Sequence, residues 1–306
     1  MKDTKQSVQF SRRNFLTRSG KTGLLAAVGA SAAGVFGGNE AEASAASDAL
    51  DVKVVTFALN LEYLEAEYYL RGVTGQGLTA AETSGGGRAG GVTIKANPQV
   101  TFSTPAIQQY ANEIAQDERN HVNLLRALLV ARGLRPIARP AIDLQNSFNA
   151  LAVAAGLGTS FDPFSSEVNF LIGAFIFEDV GVTAYRGGAG LITNKGILSR
   201  AAGLLGVEAY HAATVRTVLA QLSGQAGGGS ILSTIQAISD TRDSLDGASD
   251  IDQGLTLNGA LNIVPTDSVG SLVFARTTAQ VLRIVYGGPA TGGGLFFPNG
   301  MSGAIR

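Results

Sequence analysis

Apolar residues recur at i, i+3, i+4 and i+7 in four long stretches of the chain, and each stretch has readable ends. The first begins near Asp48 and runs through VKVVTFALNLEYLEAEYYL to Arg71, with Gly72 as its stop. The second opens with Thr104 as N-cap and Pro105 at the first helical position, and closes at Gly133 with Pro136 just beyond. The third opens at Asp162-Pro163 or a few residues later and closes at Gly187-Gly188, and the fourth spans Asn194 to Gly224. Helices of about 24–30 residues, roughly 36–45 Å at 1.5 Å per residue, predict an all-α bundle.

The connections differ in kind. Between the first and second helices, residues 72–95 hold eight glycines, which predicts a surface loop or hairpin. The link from 134 to 162 carries Pro136, Pro140 and one apolar run, LQNSFNALAVAAG, and is long enough to cross the height of a bundle and return. The link before Asn194 is short, so the third and fourth helices are expected to be antiparallel neighbours. Residues 46–224 thus read as a four-helix bundle with a long second crossover, and 225–306 as a Gly-rich extension packed on it. That extension shows one further helical pattern, from Val269 to Tyr286, with Phe274, Val281 and Ile284 spaced to dock. The last twenty residues contain seven glycines and are expected over the surface or at a contact between copies.

Composition narrows the chemistry. The 306 residues are 45% hydrophobic and 15% charged, with a formal net charge of −1, which gives no basic face for nucleic acid. The absence of cysteine excludes disulfides, thiolate metal sites and thiol catalysis. There are two histidines, His121 and His211, so imidazole chemistry has two addresses.

Residues 1–45 read as an export signal to be removed before fold reasoning. Ser11-Arg12-Arg13-Asn14-Phe15-Leu16 resembles the core of a twin-arginine signal, with Arg12 and Arg13 as its signature. A weakly apolar stretch from Thr22 to Gly38 follows, and Ala41, Ala43 and Ala45 offer A-x-A cleavage positions. The resemblance implies export by the twin-arginine translocase of an already folded protein, to the periplasm or beyond, and the short, glycine-broken stretch argues against stable membrane insertion. The segment carries six Lys/Arg and three Asp/Glu, which leaves 17 against 21 and about −4 for the remainder.

Both histidines sit in one local pattern, Glu118-Arg119-Asn120-His121 on the second helix and Glu208-Ala209-Tyr210-His211 on the fourth. At i, i+3 the carboxylate and the imidazole share a helix face, here the apolar stripes Ile114, Glu118, His121, Leu125 and Leu204, Glu208, His211, Val215. An ionised group on a buried stripe needs a partner. The first and third helices each offer one carboxylate on the matching stripe, Glu62 and Glu178, and each is followed seven residues later by a tyrosine, Tyr69 and Tyr185. The chain therefore reads as two diverged helix pairs related by a pseudo-two-fold. This repeat selects Glu62 over Glu65, whose counterpart is Gly181.

Four glutamates and two histidines aimed at one bundle interior form the ligand inventory of ferritin-like di-metal carboxylate proteins. Four carboxylates balance two divalent ions, and oxygen-rich ligation with one imidazole per metal suits iron or manganese. Glu118 and Glu208 are expected to span the pair, each histidine to bind one ion, and Glu62 and Glu178 to be terminal, with Tyr69 and Tyr185 as hydrogen-bonding support. Glu65 is kept as a reserve ligand. Otherwise Glu65, Glu67, Glu113 and Asp117 are expected to face solvent, and Arg126 and Arg216 to form surface ion pairs. Asp243, Asp246, Asp250 and Asp252 lack the spacing of a calcium loop and read as turn residues.

The segments FALNLEYLEAEYYL, QDERNHVNLLR, FEDVGVTAYRGG and GVEAYHAATVR, with NIVPTDSV and FARTTAQVLRIVYGG, resemble desiccation-related proteins over roughly residues 50–287. That resemblance implies a ferritin-like core, a di-metal centre and a link to drying or other stress. The expected activity is redox chemistry on dioxygen, peroxide or ferrous ion. An envelope protein whose metals only pin the bundle is the alternative. The reading leaves room for a homo-oligomer.

Overall fold

A computed structural model describes residues 40–289 and 292–306, with side chains from residue 46 onward, so Arg12 and Arg13 lie outside the described residues. Four long helices dominate residues 43–306: α1 (Glu40–Thr74), α3 (Pro105–Val130), α5 (Glu167–Ala189) and α6 (Lys195–Ser223). The A-x-A positions fall in the first turns of α1. Capping side chains set two of the helix starts: Ser166 accepts from the Asn169 amide at 3.1 Å, and Asn194 accepts from Gly196 and Ile197 at 3.0 and 3.1 Å. Thr104 precedes Pro105 but does not cap α3 with its side chain; its amide and hydroxyl donate to Glu167, which ties the start of α3 to the start of α5.

Two glycines expected to end helices do something else. α1 continues through Gly72, where an added Cβ would meet the Phe170 ring at 2.2 Å, and α5 continues through Gly187, where it would meet the Arg276 carbonyl oxygen at 1.9 Å. Both are points of close packing, not stops.

The first link holds the short helix α2 (Ala80–Thr83) and strand β1 (Val92–Thr93), and the second holds β2 (Ile142–Asp143) and helix α4 (Asn146–Ala154). β1 and β2 pair in parallel, Val92 with Ile142 and Thr93 with Asp143, so the first link closes no hairpin on itself. Gly85 and Gly90 permit this approach, because a Cβ on either would lie within 2.4 Å of the opposing backbone.

The extension supplies α7 (Ile231–Asp246), strands β3 (Thr256–Leu257) and β4 (Ala260–Leu261), and α8 (Thr278–Tyr286). Only the second half of the Val269–Tyr286 pattern winds into a helix, starting at a Thr277–Gln280 capping box and ending at Gly287 with φ +73°. The Gly-rich tail is not a surface cover. Phe296, Phe297 and Met301 are buried, and Ser302 exchanges two backbone hydrogen bonds with the Asn60 side chain at 2.9 and 3.0 Å.

Three fully buried arginines join these parts. Arg216 of α6 donates to Asp179 of α5 at 2.7 Å and to the carbonyls of Gln253, Gly254 and Asn262. Arg242 of α7 reaches Asp179 at 3.1 Å and Asp252 at 2.6 Å, and Arg276 reaches Asp246 and Asp252, both at 2.7 Å. Arg216 is therefore no surface residue, and Asp246 and Asp252 are interior acceptors in place of turn residues. Arg126 likewise bonds the Tyr63 hydroxyl and the Ala81 and Ser84 carbonyls. With this covering in place, Phe170 to Thr183 of α5 are buried without interruption, which accounts for a helix apolar enough to cross a membrane by composition.

Candidate metal centre

Each of the four long helices presents its acidic residue to the same interior point. Glu62 comes from α1, Glu118 and His121 from α3, Glu178 from α5, and Glu208 and His211 from α6. The four carboxylates are at most 1% exposed and the two imidazoles 5%. His121 Nδ1 faces Glu62 at 3.2 Å, Glu118 at 3.4 Å and Glu208 at 3.4 Å, while His211 Nδ1 faces Glu118 at 3.0 Å and Glu178 at 3.6 Å. Two overlapping groups result: Glu62, Glu118, His121 and Glu208; and Glu118, Glu178 and His211. Glu118 alone belongs to both. Glu208 stands only with the first, so the shared position assigned to it from the repeat is not reproduced.

The supporting bonds cross between the helix pairs. The Tyr69 hydroxyl of α1 donates to Glu178 of α5, and the Tyr185 hydroxyl of α5 donates to Glu62 of α1. Asp117, expected in solvent, lies 3.2 Å from His211 Nε2 and fixes which ring nitrogen faces inward. The pseudo-symmetric position is Val207, so the repeat supplies no such carboxylate to His121. That contact depends on the register between α3 and α6, which no local pattern states. Glu65 and Glu67 are buried too, against expectation, whereas Glu113 is exposed. Glu67 is spent on Arg71 and Arg139. Glu65 joins neither group; it borders the gap at Gly181, where a Cβ would sit 2.4 Å from a Glu208 oxygen and 3.5 Å from a Glu65 oxygen.

Eight of the buried atoms without a hydrogen-bond partner among the described residues point into this space: Glu62 Oε2, both oxygens of Glu118, His121 Nδ1, Glu178 Oε2, both oxygens of Glu208, and His211 Nδ1. Orphaned acceptors in a dry interior are costly, and here they lie at the separations of donors around a common cation. Two donors at right angles, each about 2.1 Å from an ion, are about 3.0 Å apart. The donor set of oxygens with one imidazole per group fits iron or manganese.

In the metal-free protein, protons do this work. Burial pushes Glu62 up to about 7, with the His121 charge pulling it back, and it raises Glu178, Glu208 and Glu65 as well. Burial also opposes ionisation of Glu118, but the facing imidazolium groups of His121 and His211 hold it down at about 2. Burial disfavours the imidazolium forms, yet the carboxylates overcome it and raise both histidines, His211 to about 12. A cation must displace these protons. Uptake is therefore expected to release at least one proton per imidazole, about two per chain. Apparent affinity should climb with pH through the range where Glu62 titrates, about 7. Titration calorimetry in buffers of different ionisation heat reads the proton count, and proton-neutral binding would contradict the arrangement.

The hydrogen-bonding support gives a second expectation. Tyr185→Phe and Asp117→Asn should each lower metal affinity by about 10–100-fold, the usual cost of losing an outer partner, while leaving the helix content intact. Equilibrium competition against a chromogenic chelator measures this, and unchanged affinity in both would remove these residues from the site.

A model of the ferritin-like domain matches residues 50–221. The chain is 29% identical over 276 residues to the ferritin-like catalase Nec2 of Nesocodon mauritianus, covering 84% of this chain and 85% of the relative. It is 28% identical over 250 residues to the desiccation-related protein PCC13-62 of Craterostigma plantagineum, covering 76% of each. No solved structure matches it significantly. With the four-helix core carrying a carboxylate and histidine cluster at its centre, the chain belongs to the ferritin-like domain family.

Proposed function

We propose that this protein holds two iron or manganese ions and uses them in redox chemistry on dioxygen, peroxide or ferrous ion, in the service of stress or drying tolerance. The observation that carries this reading is the convergence of eight orphaned buried atoms from six side chains on four helices. A similar protein named a catalase supports the redox reading, and one named for desiccation supports the physiological setting. The bound ions supply electron exchange and Lewis acidity. The chain's own residues do the rest. Glu62, Glu118, Glu178 and Glu208 neutralise the cations, His121 and His211 face one each, and Tyr69 and Tyr185 fix the carboxylate orientations with donated protons. Close packing around the cluster keeps water out.

The twin-arginine motif at Arg12 and Arg13 supports export to the periplasm or exterior through the twin-arginine translocase, a route for proteins already folded, often with a cofactor loaded. The decisive experiment is elemental analysis of the natively exported protein, followed by turnover with dioxygen and with peroxide. Two ions of iron or manganese per chain and measurable turnover are expected. A metal-free native protein, or a loaded one inert to both oxidants, would overturn the proposal.

A further inference from the structure

The two sides of the centre differ in kind. On one side the imidazoles come near the surface, and Asp117, its side chain 39% exposed, reaches His211 from solvent. On the other side a cavity lies along the bundle interior, and its inner wall is built from neighbours of the six residues on all four helices. Leu61 adjoins Glu62, Leu125 lies one turn beyond His121, Leu204 lies one turn before Glu208, and Tyr185 bonds Glu62. The wall continues to Val55 and Ala201, two turns from Glu62 and Glu208, a run of about 10 Å at 1.5 Å per residue. Exposed Arg200 stands at the outer end.

This space is lined almost wholly by apolar atoms and has room for a few water-sized molecules. The one polar group at its inner end, the Tyr185 hydroxyl, already has its proton committed to Glu62. Water needs two or more polar partners to stay in such a cavity, so its apolar inner part suits a small apolar guest better than water. Peroxide, superoxide and metal ions all need hydrogen bonds or charge, and apart from Arg200 at the outer end and Arg276 and Thr278 in the lining, the wall presents almost only apolar atoms.

We propose that this cavity is the entry path and holding site for dioxygen, and that polar reactants do not use it. The inference rests on the reading of the site as a redox-active metal pair, and it selects dioxygen from the oxidants that reading allows. Its geometry belongs to the protein alone, so it can be examined with and without metal.

Crystals pressurised with xenon are expected to show the gas between Leu61, Leu125 and Leu204. Ala201→Phe and, independently, Ala58→Leu fill the cavity from positions outside the ligand set and should abolish the xenon peak. In the ferrous-loaded protein, two ferrous ions give one electron each to dioxygen, and two solvent protons complete hydrogen peroxide. The second-order rate of that oxidation should fall by about tenfold or more in both variants once the apolar volume is filled. The rate with added peroxide should change by less than about twofold, because the polar side is untouched. Metal with no xenon in the cavity overturns the path alone. Folded variants that keep the dioxygen rate, or slow equally with peroxide, overturn it too. Xenon uptake by a protein that holds no metal pair overturns the functional reading and the path with it.

Discussion

Glu118→Gln is expected to empty both halves of the centre at once. Its two oxygens face different imidazoles, Oε1 toward His211 at 3.0 Å and Oε2 toward His121 at 3.4 Å, and it alone belongs to both groups of converging atoms. The substitution removes one full charge and turns one oxygen into a donor aimed at a cation. Metal affinity should drop by well over about a hundredfold, beyond the range seen for outer partners. The metal-free protein should also lose about 3–5 kcal/mol, since the buried imidazolium charges lose the carboxylate they share. Glu178→Gln is the control, because Glu178 stands in the His211 group only and one ion should persist. Elemental analysis after dialysis against a weak chelator, with circular dichroism to verify folding, reads the difference. A Glu118→Gln protein that retains two ions per chain would show that Glu118 is not shared.

Asp179→Ala should produce the largest loss of stability away from the centre. Its Oδ2 accepts from Arg216 at 2.7 Å and from Arg242 at 3.1 Å, and both arginines are at most 2% exposed. Removing the acceptor leaves two buried guanidinium groups short of a counter-charge at the seam between α5, α6 and the extension. A cost of about 3–5 kcal/mol follows for breaking a buried pair, and for a unit of this size that lowers the melting temperature by roughly 10 °C. Asp179 also follows Glu178 in sequence, so slack in this turn of α5 should raise the metal dissociation constant even though Asp179 touches no cation. Calorimetry of the metal-free and loaded forms separates the two effects. A melting point within about 2 °C of the parent would show that the guanidinium groups find other acceptors.

Much of the centre is legible before any fold is known. Glu-x-x-His at both histidines is a local statement, because two side chains three residues apart on a helix share a face whatever the helix packs against. The repeat of Glu62 and Tyr69 in Glu178 and Tyr185 is likewise visible in the string. What the repeat does not state is which tyrosine serves which glutamate, and the bonds in fact cross from α1 to α5 and back.

The residues misplaced by sequence reading share one cause. Arg216, Glu67 and Asp246 are polar by type and are interior by position. Each is paired with a residue at least four positions away, and Arg216 bonds carbonyls 37 to 46 residues distant. Gly72 and Gly187 look like helix stops because glycine commonly ends helices, but their role is set by Phe170 and by the Arg276 backbone pressing against them. The Gly-rich tail has the composition of a surface loop, and yet three of its large side chains fill the core.

By itself, then, the order of residues determined the four helices, their two-pair repeat and the six chemistry-bearing positions, because helical periodicity and i, i+3 neighbours are properties of a single segment. The tertiary structure decided that Glu118 alone stands in both groups of converging atoms, that Asp117 reaches His211, that the tail and three arginines are interior, and that a largely apolar cavity ends at Tyr185. Those outcomes depend on the register and spacing between helices, fixed only when distant side chains compete for the same interior volume and the same buried hydrogen-bond partners.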